Sequence, residues 1–166
     1  MTGILLIGVV GAWLMAAIVM GAKIGDKLNP PWLRTPAALL LMAILIPLPV
    51  VDEIIGGWQF RALCDKYAVQ YIDEKNARDR KVVYVPRGND QYAEGTAVRI
   101  RIDPWVYQDA ETGKTLVSYH SIEAKGGWFI RSLGISETSS PLIFNGYCAP
   151  DNQDDFKKKF NITVTN

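Results

Sequence analysis

Two adjacent carboxylates, Asp52 and Glu53, follow an apolar segment that Pro47 and Pro49 interrupt. Ionisable residues beside a broken membrane segment are typical of ion and proton pathways. The interpretation we favour is geometric. A helix from Thr35 to Asp52 rises about 26 Å, which brings the pair to the far headgroups, where carboxylates are solvated. A third interpretation is a salt bridge to a partner subunit at that interface.

The chain has two cysteines, Cys64 and Cys148. In an oxidising compartment they predict one structural disulfide that closes a loop of about 85 residues. The alternative is a redox-active or ligand-binding thiol pair, for which the Cys-x-x-Cys spacing is missing. One histidine and two cysteines are too few for a closed zinc site without carboxylate ligands. We therefore expect no metal site and no cofactor.

No arrangement of residues predicts catalysis. His120 lies next to Ser121, but neighbouring residues of a strand point to opposite faces, and no Gly-x-Ser-x-Gly motif is present. Phosphate-binding glycine motifs are also missing. The basic residues Arg99, Arg101 and Lys157–Lys159 suggest either contacts with lipid phosphates or a solvated face, and we favour the second.

The elements that position these residues begin with an apolar run. Residues 4–22 contain no charged side chain and span about 28 Å as a helix, close to the thickness of the hydrocarbon core. A cleaved signal peptide is the competing interpretation, but it requires a basic segment before the apolar run. We predict a retained transmembrane helix. On it, Gly8, Ala12 and Ala16 form a stripe of small residues that we expect to pack on the second span.

The second predicted span covers residues 36–57, with Thr35 as its N-cap and Trp32 and Trp58 as interfacial anchors. The connector, residues 23–35, carries Lys23, Lys27 and Arg34 against one acidic residue. Basic connectors favour the cytoplasmic side, so the N-terminus and the C-terminal part are expected outside.

Residues 58–166 are predicted to form one extramembrane α+β domain. Apolar residues recur at helical spacing up to Ile72, which predicts an amphipathic helix from Trp58 to Lys75. The strands that follow are predicted within 82–85, 96–107, 115–122, 142–144 and 161–164. The predicted fold is therefore a transmembrane hairpin followed by one helix packed on an antiparallel sheet of five or six strands.

Lys and Arg number 18 against 17 Asp and Glu, a balance that does not favour nucleic-acid binding. We predict a non-enzymatic protein of the bacterial inner membrane with a periplasmic domain. It would act as an accessory or assembly subunit, or as an interaction module, of a larger membrane complex. Its expected partners are lipids and other membrane subunits. The alternatives are an oligomeric ion or proton conductor that uses Asp52 and Glu53, and a small envelope ligand sensor.

Overall fold

A computed structural model describes residues 2–27, 31–86, 91–134 and 140–165. The N-terminal part is helical. Helix α1 covers Thr2–Asp26, α2 covers Arg34–Leu45 and α3 covers Val51–Tyr67, while short 3-10 turns occupy Pro31–Leu33 and Leu48–Val50. Helices α1 and α2 form a hairpin.

Small residues on α1 let the two helices of the hairpin approach closely. Ala17, Gly21 and Gly25 recur every four residues and are buried. A Cβ at Gly25 would lie 3.0 Å from the Ala38 Cβ of α2. The indole Nε1 of Trp13, one turn before Ala17, donates a hydrogen bond to the carbonyl oxygen of Leu45, 3.1 Å away.

The packing stripe predicted from the sequence is different from the observed one. Gly8 would meet nothing within 4 Å if a Cβ were added, and Ala12 and Ala16 are exposed. The expectation that these three residues pack on the second span is therefore wrong. Small residues occur on more than one face of this apolar helix, and the contact uses the face that contains Gly21 and Gly25.

Both N-terminal segments are long and apolar enough to cross a membrane. By length and composition these segments are Ile7–Asp26 and Pro31–Tyr67, and only 11% of the most apolar window of each is buried. Most of the surface of both segments is therefore exposed in the structure. The large apolar side chains of Ile7, Met15 and Leu39 are exposed.

The second segment is interrupted at its prolines. Because Pro47 and Pro49 lack backbone N–H donors, α2 ends at Leu45 and a 3-10 turn leads into α3. Helix α2 begins at Arg34, so Thr35 is not its N-cap. The Gly56–Gly57 pair lies inside α3, although the sequence places the boundary between the hairpin and the domain at this pair. Helix α3 ends at Tyr67 rather than Lys75.

Within the described residues, the sheet has seven strands. They are β1 Tyr71–Ile72, β2 Lys81–Tyr84, β3 Gln91–Tyr92, β4 Ile100–Asp109, β5 Thr115–Ala124, β6 Tyr147–Cys148 and β7 Thr163–Thr165. The order is β1-β5-β4-β2-β7, with β3 also on β4 and β6 also on β5. Because β7 runs parallel to β2, the sheet is mixed, and it is larger than predicted.

The long hairpin of β4 and β5 carries the core on both of its faces. On one face Ile100 and Ile122 pack with Phe60 of α3. On the other face Tyr107 and Tyr119 pack with Phe156, which belongs to the short helix α5, Asp155–Lys159. Successive residues of a strand point to opposite faces, so one hairpin supplies both clusters.

Two short segments complete the fold, and the second differs from its predicted structure. Trp128–Leu133 forms a helix, α4, that directly follows Gly126 and Gly127. Residues 142–144 form a bend rather than a strand, and the strand in this region is β6. Both segments lie close to the start of α3, as described below.

The turn between β4 and β5 is held by Asp109. Its Oδ1 accepts hydrogen bonds from the backbone N–H groups of Glu111 and Thr112, each at 2.8 Å. The hydrogen bond from Thr112 is the main cause that lowers the pKa of Asp109 below its ordinary value. Gly113 completes the turn with a φ of +69°, a conformation that glycine adopts without steric cost.

Candidate functional site

Asp52 and Glu53 lie in the first turn of α3. The preceding 3-10 turn contains Pro49, whose fixed φ suits the start of a helical segment. Carboxylates are favourable in the first turn of a helix because the free N–H groups there carry partial positive charge. The pair therefore begins a new helix after the proline break, rather than ending a helix that rises from Thr35.

Glu53 is buried, with 1% of its surface exposed. Its Oε1 accepts a hydrogen bond from the backbone N–H of Gly127 at 2.9 Å. Its Oε2 accepts two more, from Leu142 at 2.8 Å and Ile143 at 3.3 Å. Three donors from two distant segments thus converge on one buried carboxylate, which offsets the cost of burying it.

Asp52 binds the first residue of α4. Its Oδ2 accepts a hydrogen bond from the backbone N–H of Trp128 at 2.6 Å, and its Oδ1 accepts one from the N–H of Glu53 at 2.9 Å. The first N–H groups of a helix have no partner within that helix. Asp52 supplies one of these missing partners from a different helix.

Gly127 leaves the space that this contact requires. A Cβ at this position would lie 2.5 Å from Oδ1 and 2.6 Å from Oδ2 of Asp52, closer than van der Waals contact permits. Its φ of −63° is open to any residue, so the requirement is steric rather than conformational. The glycine is therefore part of the site.

We call this arrangement the carboxylate clamp: Asp52 and Glu53 together with the backbone N–H groups of Gly127, Trp128, Leu142 and Ile143. Each of the four carboxylate oxygens accepts at least one backbone N–H. The chemistry of the clamp is hydrogen-bond acceptance from the chain's own backbone. It fastens α4 and the segment 140–146 to the start of α3.

A second attachment lies near the other end of α3. The Sγ atoms of Cys64 and Cys148 are 2.08 Å apart, the distance of a disulfide, and the two Cα atoms are 6.3 Å apart. Cys148 belongs to β6, so the pair joins α3 to the sheet. Between the two attachments Gly56 lies against Val98, with a Cβ position only 2.6 Å from a Val98 methyl group. Helix α3 is therefore fixed to the sheet along its length.

The other candidate residues are packed or paired. His120 contacts the ring of Tyr67 edge-on, whereas Ser121 is buried and accepts a hydrogen bond from Trp105 Nε1 at 2.8 Å. Histidine and serine thus have separate surroundings, as the strand alternation predicts.

Burial raises the pKa of the Tyr119 phenol far above its ordinary value, which keeps the phenol protonated.

Most of the basic clusters considered in the sequence are neutralised locally. Arg101 pairs with Asp103 at 3.0 Å and with Glu123 at 2.8 Å. In α5, Lys157 pairs with Asp154 at 2.6 Å. Arg99 differs, since it lines an open groove of about 600 Å³ together with Arg131 of α4.

The predicted interfacial tryptophans are both exposed. Trp32 lies in the 3-10 turn before α2 and Trp58 lies on α3, with 73% and 69% of their surfaces exposed.

Within the described ranges, no group of three or more His, Cys, Asp or Glu residues could hold a metal ion.

The sequence singled out Asp52 and Glu53, but the favoured expectation of solvated carboxylates is wrong for Glu53, which is buried and bound to backbone N–H groups. It also did not indicate the partners of the pair. Those partners lie 74 to 90 residues away, and backbone N–H groups carry no signature in a sequence. The one available signal was the Gly126–Gly127 pair.

No family model, curated protein or solved structure matches the chain.

Proposed function

We propose that this chain is a non-enzymatic, membrane-anchored protein, an accessory or assembly subunit or interaction module of a larger membrane complex. One observation supports this above all: a helical hairpin with exposed apolar sides leads directly into a helix that is fastened to the sheet domain at both ends. The hairpin supplies an anchor. The clamp and the disulfide make the domain a fixed extension of it.

The case for an anchor depends on the environment that the hairpin surface requires. Large apolar residues point outward along both helices, including Leu39 with 62% of its surface exposed. In water, this exposure of apolar surface is unfavourable by about 25 cal/mol per Å². A bilayer removes that cost, and both segments have the length to cross one.

The proposed compartment follows from the cysteine pair and the connector. Disulfides persist in oxidising compartments, so the domain is assigned to the periplasmic side of a bacterial inner membrane. The basic residues Lys23, Lys27 and Arg34 assign the connector to the cytoplasmic side. Both arguments lead to the same orientation, although they depend on different residues.

The firm attachment of the domain to α3 suits a subunit that presents a surface at a fixed place. A domain on a flexible linker would sample many orientations. This sampling would lower the effective concentration of the domain at the binding site of its partner. Here α3 follows α2 after a five-residue break and is bound by Asp52, Glu53 and Cys64. The position of the domain relative to its anchor is therefore restricted.

The test is the native mass and composition of the protein after extraction from its own membrane with a mild detergent, at natural expression level. We expect it to resist alkaline extraction and to migrate with a defined complex that contains other subunits. Release by alkali would contradict the anchor. Migration as a bare monomer or a small homo-oligomer would contradict the accessory role.

A further inference from the structure

An exposed apolar patch surrounds the start of α3. The first exposed residues of this helix are Val51, Ile55 and Trp58, which share one face through their spacing of four and three. Further along, the exposed residues include Arg61, Asp65 and Lys66. The exposed surface of α3 thus changes from apolar to charged about 10–15 Å from its start.

Two other segments bring exposed apolar side chains to the same end of α3, around its first turn. Trp128, Leu142 and Ile143 expose 45%, 43% and 50% of their surfaces. Their backbone N–H groups bind Asp52 and Glu53 at distances between 2.6 and 3.3 Å. The carboxylate clamp therefore holds these three exposed apolar side chains beside the first turn of α3.

The position of the patch along the chain identifies what covers it. Helix α2 belongs to a segment of membrane-crossing length and ends at Leu45, and five residues separate it from the start of α3. The patch therefore begins just after the proline turn that follows α2. It contains two tryptophans, and tryptophan is enriched at membrane–water interfaces because its ring is apolar and its N–H is polar.

We propose that this patch rests on the boundary between headgroups and hydrocarbon of the membrane that holds the hairpin. Its residues are Val51, Ile55, Trp58, Trp128, Leu142 and Ile143. The inference depends on the proposed membrane anchor and adds a second attachment, at the surface of the bilayer. The buried clamp then has a role: it keeps α4 and the segment 140–146 at the depth where their side chains meet lipid.

The experiment places a nitroxide spin label on single cysteines of the full-length protein in vesicles of phosphatidylethanolamine and phosphatidylglycerol. Ile143→Cys and Trp128→Cys report on the patch, and Leu39→Cys reports on the hairpin. Val69→Cys is the matched control, because Val69 is an exposed aliphatic residue beyond the far end of α3, with 64% of its surface exposed. Near-UV circular dichroism shows that each variant is folded.

Accessibility to oxygen, which concentrates in lipid, is compared with accessibility to a water-soluble nickel chelate. We expect a ratio of oxygen to nickel accessibility that is highest at Leu39, several-fold above Val69 at Ile143 and Trp128, and lowest at Val69. Ratios at both patch positions equal to that at Val69, with Leu39 in lipid, would overturn this inference alone.

A low ratio at Leu39 as well would overturn the anchor on which the inference depends. Low accessibility of the patch to both reagents would mean that a second copy of the chain covers it, and would also overturn the inference. The two patch positions lie on separate segments, so misfolding of one variant leaves the other as a complete test.

Discussion

In the helical hairpin the buried residues are small and large apolar residues are exposed, whereas in the sheet domain large apolar and aromatic residues are buried. Gly21 and Gly25 make the contact between α1 and α2, and Leu39 is exposed. In the domain, Ile100 and Phe156 are almost completely buried. This difference is the one that the proposed membrane anchor requires.

The difference also determines what stabilises each region. In the membrane proposed for the hairpin, helices gain little from burying apolar side chains, so close packing of small residues would hold them together. The domain has a conventional apolar core, and it adds a disulfide and a buried carboxylate. The clamp lies where the two regions meet, and its hydrogen bonds attach α4 and the segment 140–146 to the start of α3.

The largest expected effect is the loss of the disulfide. The variant Cys64→Ser/Cys148→Ser should lower the free energy of unfolding of the domain by about 4–5 kcal/mol, because the cross-link restricts a loop of about 85 residues in the unfolded chain. The helicity of the hairpin should not change. Denaturant unfolding in mild detergent, followed by tryptophan fluorescence, measures this. Two alkylatable thiols in the native protein would contradict the account.

Glu53→Ala should follow, with a loss of about 3–5 kcal/mol, because three backbone N–H groups would lose their acceptor in a buried site. The matched control is Glu94→Ala, at an exposed position, where the expected change is within about 0.5 kcal/mol. Thermal unfolding of both variants is the measurement. Equal midpoints for the two variants would show that the clamp contributes no stability.

Gly127→Ala tests the clamp without removing a carboxylate. Its Cβ would lie 2.5 Å from Asp52 Oδ1, so Asp52 must move away from the N–H of Trp128. We expect a loss of about 1–3 kcal/mol, the usual range for an overpacked site. Combined with Asp52→Ala, the alanine at 127 should cost less than it does alone. Additive effects in this double-mutant cycle would contradict the steric coupling.

Within the hairpin, Gly25→Leu and Gly8→Leu distinguish the observed packing face from the predicted one. A side chain at Gly25 would meet the Ala38 Cβ and the Arg34 carbonyl oxygen at 3.0 Å, whereas Gly8 faces open space. Gly25→Leu should separate the helices at a cost of about 1–2 kcal/mol, and Gly8→Leu should be neutral. Cleavage of the connector by protease in detergent reports the separation. Faster cleavage of Gly8→Leu would support the face predicted from the sequence.

The smallest expected effect is on the acid sensitivity of the domain. The pKa of Asp109 is lowered in the folded state, mainly by the N–H of Thr112, so its contribution to stability is present above the pKa of the unfolded chain. That contribution is lost as the pH falls through the lowered pKa. Asp109→Asn should therefore lose less stability than the native chain on acidification below pH 4, measured by thermal midpoints. An identical pH dependence would contradict this.

Much of the fold could be predicted from local patterns. The uncharged runs predict the two long helices, and Pro47 and Pro49 predict the break. The alternation of Ile100 and Ile102 with arginines predicts β4, and the hairpin loop after it predicts β5. Tyr71 and Ile72 were assigned to a helix because their spacing continues the helical pattern. They instead pair with Ser118 and Val117 in a strand, since pairing with β5 outweighs a two-residue pattern.

The packing face of α1 and the partners of the clamp could not be predicted. When every residue of a helix is apolar, periodicity does not indicate which face contacts a neighbour. The partners of Asp52 and Glu53 are backbone groups brought close by the fold, so no residue type identifies them. The parallel pairing of β7 with β2 is likewise a long-range feature, joining Lys81 to Thr163.

The central claim is that the hairpin and the domain face different solvents, and labelling in native membranes tests it most directly. Leu39→Cys and Glu111→Cys both place a thiol at an exposed position of the structure. We expect a membrane-impermeant maleimide to label position 111 readily, and to label position 39 only after denaturation in dodecyl sulfate. Equal labelling of both positions in folded protein, in opened membranes, would show that water surrounds the hairpin and would contradict the account.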